Sequence, residues 1–231
     1  MARGSVRKSV TATRAPAPTR RRPSAAHSNS HLLERLLFMS DAVFAIVMTL
    51  LALELRVPEG FSDATVMEAL REMTPKLIAF AISFAVISVF WIGHATITRD
   101  LKQFDWAVGW ANLVFLFTLT LIPLATALLG EFGQMGNAWR LYCLALIAIG
   151  ISQMVLVAVI NRGGGKLIGS RTRRQLLYRL GRAAAPGLGF AVALTVSLMG
   201  YPLISQFSWV SIPLFMAAAG WLWGPKKDEA A

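Results

Sequence analysis

The apolar stretch at residues 34–55, ERLLFMSDAVFAIVMTLLALEL, constrains the fold more than any other feature of the chain. It is long enough to cross a bilayer, which needs about 20 apolar residues. Yet Arg35, Ser40 and Asp41 lie at its start, where a charge costs up to roughly 2.5–3.5 kcal/mol at mid-membrane on insertion scales. Such residues usually face a protein interior or a water-filled path. We therefore expect this helix to carry the function.

Long apolar blocks recur along the 231 residues, 55% of which are hydrophobic, and the mean hydropathy is +0.56. This pattern is not that of a soluble domain, and it predicts an all-α membrane protein with six transmembrane helices. The predicted spans are residues 32–55, 75–98, 106–129, 139–160, 183–199 and 203–223. A polar loop punctuated by Pro58 and Gly60 is predicted at residues 56–74.

Three segments follow from this pattern. Residues 1–30 are rich in Arg, Ser, Ala and Pro and contain no apolar run, so a disordered basic tail is predicted there. Residues 31–224 form the predicted six-helix domain, and residues 225–231 a short second tail. The basic first tail is expected to lie beside membrane lipid.

The formal net charge of +11 would suggest a nucleic-acid partner in a soluble protein. Here most Lys and Arg residues lie in the tails and between the apolar blocks. Seven are in the first tail, two between spans 2 and 3, seven between spans 4 and 5, and two after span 6. The positive-inside rule explains this distribution. It predicts a multi-pass membrane protein with both termini cytoplasmic. We expect the membrane to be the plasma (inner) membrane, and no nucleic-acid partner is expected.

Polar side chains of the first three spans fall at one depth in this topology, since a helix rises 1.5 Å per residue. They are Arg35, Ser40, Asp41, Trp91, His94 and Asn112. A carboxylate in the membrane needs donors, which guanidinium, indole, imidazole and amide groups supply. We predict a network that holds helices 1, 2 and 3 together. For Trp91, His94 and Asn112 taken singly, a packing role alone is the simplest interpretation.

Beyond Asp41 the first helix is almost wholly apolar. Ile46, Leu50 and Leu53 are spaced i, i+4, i+7 and form one stripe, with Thr49 beside it. Taken alone, the stripe is compatible with ordinary packing or lipid contact as well as with a pore wall.

The segment from Arg35 to Asp41, RLLFMSD, resembles the R-x-x-x-F-S-D signature of transmembrane protein 175, the endosomal and lysosomal potassium channel family, in its prokaryotic branch. Trp91-Ile-Gly-His94 resembles the family's Trp-x-x-His, and parts of residues 112–131 resemble its third helix. The resemblance covers residues 32–131. Met39 replaces the signature's Phe, and we expect this flexible apolar side chain to preserve the packing.

The resemblance implies a potassium-permeable channel that assembles as a homotetramer, with four first helices around the axis. By position, Ile46 would form the narrowest hydrophobic ring, Leu50 and Leu53 further rings, and Thr49 would offer hydroxyls to the ion. The polar network would hold the pore helix without touching the ion. The sequence contains no Thr-Val-Gly-Tyr-Gly filter, and no cofactor is expected besides the permeant K⁺.

An enzyme is not predicted, because neither His-Glu-x-x-His nor Gly-x-Ser-x-Gly occurs and no catalytic residue stands out. Cys143 is the only cysteine, so neither an intrachain disulfide nor a cysteine metal site is expected. The main alternative is a proton-coupled secondary carrier that uses Asp41 and His94, with Glu54 as a third titratable group. A non-conducting membrane scaffold is a third possibility.

Overall fold

The computed structural model describes residues 25–56, 65–133, 136–162, 167–169 and 172–224. Within these residues all regular structure is helical. The helices are α1 (Ala25–Leu53), α2 (Val66–Thr98), α3 (Trp106–Thr120), α4 (Ile122–Phe132), α5 (Gly136–Ile160), α6 (Arg173–Leu198), α7 (Pro202–Ser205) and α8 (Ser211–Trp223). A 3-10 turn, Ser208–Val210, joins the last two helices. Six segments are long and apolar enough to cross a membrane, as predicted: α1, α2, α3 with α4, α5, α6, and α7 through α8.

Several boundaries differ from the predicted ones. Helix α1 starts at Ala25, inside the predicted disordered tail, while residues 1–24 and 225–231 lie outside the described residues. The loop predicted at residues 56–74 is wrong in its second half, because α2 starts at Val66 and contains Pro75. Residues 66–73, VMEALREM, are mostly strong helix formers, and their summed preference outweighs one interior proline.

The third span is divided at Leu121. Pro123 is the second residue of α4, where a missing N–H costs little because the first amides of a helix have no intrahelical acceptor. Asp105 is the N-cap of α3, and its carboxylate accepts hydrogen bonds from the N–H groups of Ala107 and Val108. A capping box of Thr172 and Gln175 starts α6, so the predicted basic connector is helical from Arg173 onward.

Helix α5 is the centre of the fold and packs against α3, α4 and α6. Its closest approach is to α6, where a Cβ added to Gly150 would meet the Gly187 Cα at 2.7 Å. Only glycine at this position lets the two backbones lie so close. Helix α1 lies at the rim and packs through one face, where Phe44, Val47 and Leu51 are buried. The opposite face of α1 is uncovered.

Candidate functional site

A buried amide links the first three helices. The Nδ2 group of Asn112 on α3 donates a hydrogen bond to the Ser40 hydroxyl on α1 at 2.8 Å. Its Oδ1 atom lies 2.8 Å from Nε2 of His94 on α2. An amide oxygen only accepts, so His94 donates from Nε2 in this arrangement. Ser40, His94 and Asn112 are all buried. One residue from each of three helices thus forms a hydrogen-bonded bridge.

Aromatic rings enclose the His94 imidazole. The ring stacks on Phe115 with centroids 5.4 Å apart and an interplanar angle of 3°. It also contacts Phe44, at 5.7 Å between centroids. One turn below, the Thr98 hydroxyl donates to the His94 backbone oxygen at 2.9 Å. These contacts fix the imidazole inside the helix bundle and keep it away from the uncovered face of α1.

Asp41 belongs to a separate contact at the edge of the bundle. The Trp91 indole Nε1 donates to Asp41 Oδ1 at 3.1 Å, and both side chains are exposed in the single subunit. Arg35 does not join them: among the described residues, no hydrogen bond or ion pair connects it to Asp41. At 100° per residue, Arg35 projects from the same side of α1 as Ile46 and Leu53. Five of the six predicted residues thus form interhelical hydrogen bonds, but in two separate groups, Ser40–Asn112–His94 and Asp41–Trp91.

The apolar stripe of α1 occupies the uncovered face. Ile46 is 56% exposed, Leu50 40% and Leu53 68%, and Thr49 is exposed beside them. The Thr49 hydroxyl donates to the Ile46 backbone oxygen at 2.8 Å, which leaves its oxygen as a hydrogen-bond or cation acceptor. The three residues of the predicted stripe and Thr49 beside them thus share one open surface.

A second polar cluster was not predicted. Thr126 on α4 donates to the Ser83 hydroxyl on α2 at 2.8 Å, and Ser83 lies 2.9 Å from the Tyr142 hydroxyl on α5. Further along α5, the Ser152 hydroxyl lies 2.9 Å from the Thr118 hydroxyl on α3. The sequence signal for this cluster is the presence of polar residues inside apolar spans, because such groups usually form hydrogen bonds within the helix bundle. Which hydroxyls meet depends on helix packing.

No group of three His, Cys, Asp or Glu side chains in the described ranges is arranged to hold a metal ion. Cys143 is buried in α5. The oxygen acceptors beside the stripe include the Thr49 hydroxyl, the Asp41 carboxylate toward one end of the stripe and the exposed Glu54 carboxylate next to Leu53. The chemistry that this face offers is therefore that of a mostly apolar wall with a few oxygen atoms.

Together these features define a six-helix membrane protein whose first helix is anchored by polar bonds on one side and open along an apolar stripe on another. The sequence model of a family described as "Endosomal/lysosomal potassium channel TMEM175" matches residues 35–123. A relative in Streptomyces collinus, named a potassium channel, is 30% identical over 187 residues, 79% of this chain and 85% of its own length. The chain belongs to the TMEM175 family.

Two further comparisons extend this result. The human relative, named "Endosomal/lysosomal proton channel TMEM175", is 26% identical over 216 residues, which cover 88% of this chain but only 42% of the human protein. A crystal structure described as that of a "lysosomal potassium-selective channel TMEM175 homolog" from Chamaesiphon minutus matches with a TM-score of 0.66. That match has 27% identity and covers 82% of this chain and 98% of the other. It confirms the predicted fold class, and a family of channels agrees with the prediction that the chain is not an enzyme.

Proposed function

We propose that this protein is a potassium-permeable channel in which four copies assemble with α1 around a central axis. The observation that carries the proposal is the division of α1 into two faces. One face is fixed to the subunit by Phe44, Val47, Leu51 and the Ser40–Asn112 bond. The other, with Ile46 and its neighbours, is apolar and uncovered. A helix fixed so firmly on one side presents the same free side in every copy, as a pore wall requires.

The proposed constriction is a ring of Ile46 side chains. A narrow apolar ring excludes water and stops ions unless it widens, which is gating by dewetting. Leu50 and Leu53 add further rings along the same stripe, and Thr49 supplies an oxygen acceptor beside them. Apolar side chains replace little of an ion's hydration shell, so the preference for K⁺ over Na⁺ is expected to be modest and to rest on the weaker hydration of K⁺.

In this proposal both termini and the polar network lie on the cytoplasmic side of the plasma membrane, an orientation that the distribution of Lys and Arg favours. In this orientation Asp41 lies at the inner end of the stripe and Leu53 toward the outside. The polar bonds then hold α1 where the pore begins, and the apolar rings follow. In this proposal the polar network positions α1, and the permeating ion passes along the stripe.

A liposome flux assay tests the proposal. Wild-type protein in a potassium gradient should carry a K⁺ flux, and Ile46→Ala should raise the flux or reduce the preference over Na⁺. Ile151→Ala is the matched control, because Ile151 on α5 is the same residue type with almost the same exposure, 58%. Wild-type protein that is assembled but carries no cation flux contradicts the proposal. Equal effects of the two substitutions contradict the constriction at Ile46.

Proton movement is the second candidate, favoured by the name of the human relative and by the titratable groups Asp41 and His94. In the structure these groups belong to two separate contacts, one through Trp91 and one through Asn112. A relay between them would have to cross the gap between these contacts. A pH-sensitive dye inside the same liposomes decides between the functions: acidification that requires Asp41 and persists without K⁺ flux would favour the proton-coupled alternative.

A further inference from the structure

A cleft of about 680 Å³ lies between α2, α6 and α8, outside the site described above. Its walls have two chemically different zones. One zone carries the side chains of Arg99, Arg174, Arg179 and Arg182, with the carboxylate of Asp100. The other zone is apolar and is formed mainly by Val89, Ile92, Ala183, Pro186 and Met216. The cleft is therefore amphipathic.

The basic zone carries more positive than negative charge. Arg179 forms an ion pair with Asp100, so the one carboxylate of the lining is already matched. Arg182 lies over the Tyr178 ring, 5.7 Å from its centroid, and donates to the Tyr178 hydroxyl at 3.4 Å. Across the described part of the chain, no carboxylate lies within ion-pair distance of Arg174 or Arg182. Two guanidinium groups thus face the cleft without an acidic partner.

The position of the cleft suits a molecule that is partly in the membrane. The second span ends at Thr98, and the apolar part of α6 begins at Ala183, directly after Arg182, so the arginines lie near the level where these spans leave the apolar layer. Trp223 at the end of α8 lines the same level. Val89 and Ile92 on α2 are exposed in the single subunit. The apolar zone is therefore open toward lipid chains, and the basic zone toward headgroups.

We propose that this cleft binds the phosphate group of an anionic phospholipid. Basic pockets between transmembrane helices on the cytoplasmic side are a known form of lipid headgroup site, and a guanidinium can bind phosphate with two parallel hydrogen bonds. Arg174 and Arg182 hold the phosphate, and one acyl chain lies along Ile92 and Met216. The bound lipid joins α2 to α6. It thereby supports the helix that carries Trp91 and His94.

Native mass spectrometry of the detergent-solubilised protein tests the site with dioleoyl-phosphatidylglycerol, dioleoyl-phosphatidylcholine and inorganic phosphate as probes. Wild type should bind phosphatidylglycerol in preference to phosphatidylcholine. The double variant Arg174→Gln, Arg182→Gln should bind phosphatidylglycerol about thirtyfold more weakly, because each arginine near an anionic lipid contributes about fivefold. The control, Arg162→Gln with Arg173→Gln, removes the same charge at the same end of the molecule but outside the cleft. It should stay within about twofold of wild type.

Three results would overturn the proposal: equal binding of the two lipids, equal losses in the two double variants, or inorganic phosphate binding as tightly as phosphatidylglycerol. The first two would mean adsorption to lipid or to surface charge, and the third a free-anion site. A photoactivatable phosphatidylglycerol on wild-type protein gives a readout that does not depend on the variants folding. It should label peptides containing residues 89–100 or 172–186. Labelling elsewhere alone also overturns the assignment.

Discussion

Helices α1 and α5 look alike as sequences and occupy opposite environments. Their most apolar windows have mean hydropathies of 2.3 and 2.6, yet half of the α5 window is buried in the subunit and only 22% of the α1 window. Both are spans in the same fold. Hydropathy therefore predicts that a helix lies in the membrane, but it does not predict which other parts of the protein cover that helix. Helix α5 is enclosed by its own chain, whereas α1 is left with a free face.

Local chemistry accounts for the two environments. Helix α5 has Gly150 where α6 crosses it, so the two backbones can approach closely. Helix α1 has no such contact, and its attachment depends on one apolar face together with Ser40 and Asp41. The enclosed helix is held mainly by packing, and the rim helix partly by directional polar bonds. Substitutions that disturb close packing should therefore affect α5 more strongly, and substitutions that remove polar bonds should affect α1 more strongly.

The largest effect is expected from Gly150→Val. A side chain there meets the Gly187 backbone, which cannot move aside as a flexible side chain can, and overpacking of this kind typically costs about 1–3 kcal/mol or more. Folded protein should be strongly reduced in detergent extracts analysed by size-exclusion chromatography. Gly220→Ala is the control, because nothing lies within 4 Å of an added Cβ there, and it should behave as wild type. Equal yields for the two variants would show that α5 and α6 are not in close contact.

Asn112→Ala should have the next largest effect, on α1. It removes two hydrogen bonds and leaves the buried His94 donor without a partner, at a cost of about 2 kcal/mol. The melting temperature in detergent should fall by several degrees and K⁺ flux should fall with it, since α1 is no longer fixed. Asn161→Ala removes only a bond to the Val157 backbone oxygen in its own helix and serves as control. An unchanged melting temperature for Asn112→Ala would mean that the bridge does not hold α1.

Tyr142→Phe tests the polar bonds of the enclosed helix and should have a smaller effect. It removes the bond between the Tyr142 and Ser83 hydroxyls, while Ser83 keeps the hydrogen bond that it accepts from Thr126. Interhelical hydrogen bonds in membranes average about 0.6 kcal/mol, and the melting temperature should fall only slightly. A loss as large as that of Asn112→Ala would show that α5, too, depends on polar bonds for its position.

These contrasts also mark what the sequence could predict. The number of spans could be predicted from the length of the apolar blocks, and the members of the Ser40–Asn112–His94 bridge from their depth in the membrane. Both predictions use the rise of 1.5 Å per residue along a straight helix. The exposed stripe followed from i, i+4, i+7 spacing. The Ser83–Thr126–Tyr142 cluster did not, because three hydroxyls on three helices meet only through the rotation of each helix about its axis. The start of α2 at Val66 differs from the predicted start at residue 75, because one interior proline does not end a helix when the residues before it favour one.

The smallest effect on stability, and the most informative about the uncovered face, is expected from Arg35→Gln. Arg35 was predicted to belong to the polar network, but it lies on the same side of α1 as Ile46 and Leu53, at the cytoplasmic end in the proposed orientation. Four copies around an axis would place four guanidinium groups at the entrance, where they repel cations.

The substitution should leave the melting temperature unchanged and raise K⁺ flux about twofold to threefold at low salt, with a smaller increase at high salt because ions screen the charge. Lys102→Gln removes one charge at the same end away from α1 and should change neither quantity. If Arg35→Gln instead lowers the melting temperature as Asn112→Ala does, Arg35 supports the anchored face of α1, and the entrance of the proposed pore carries no ring of positive charge.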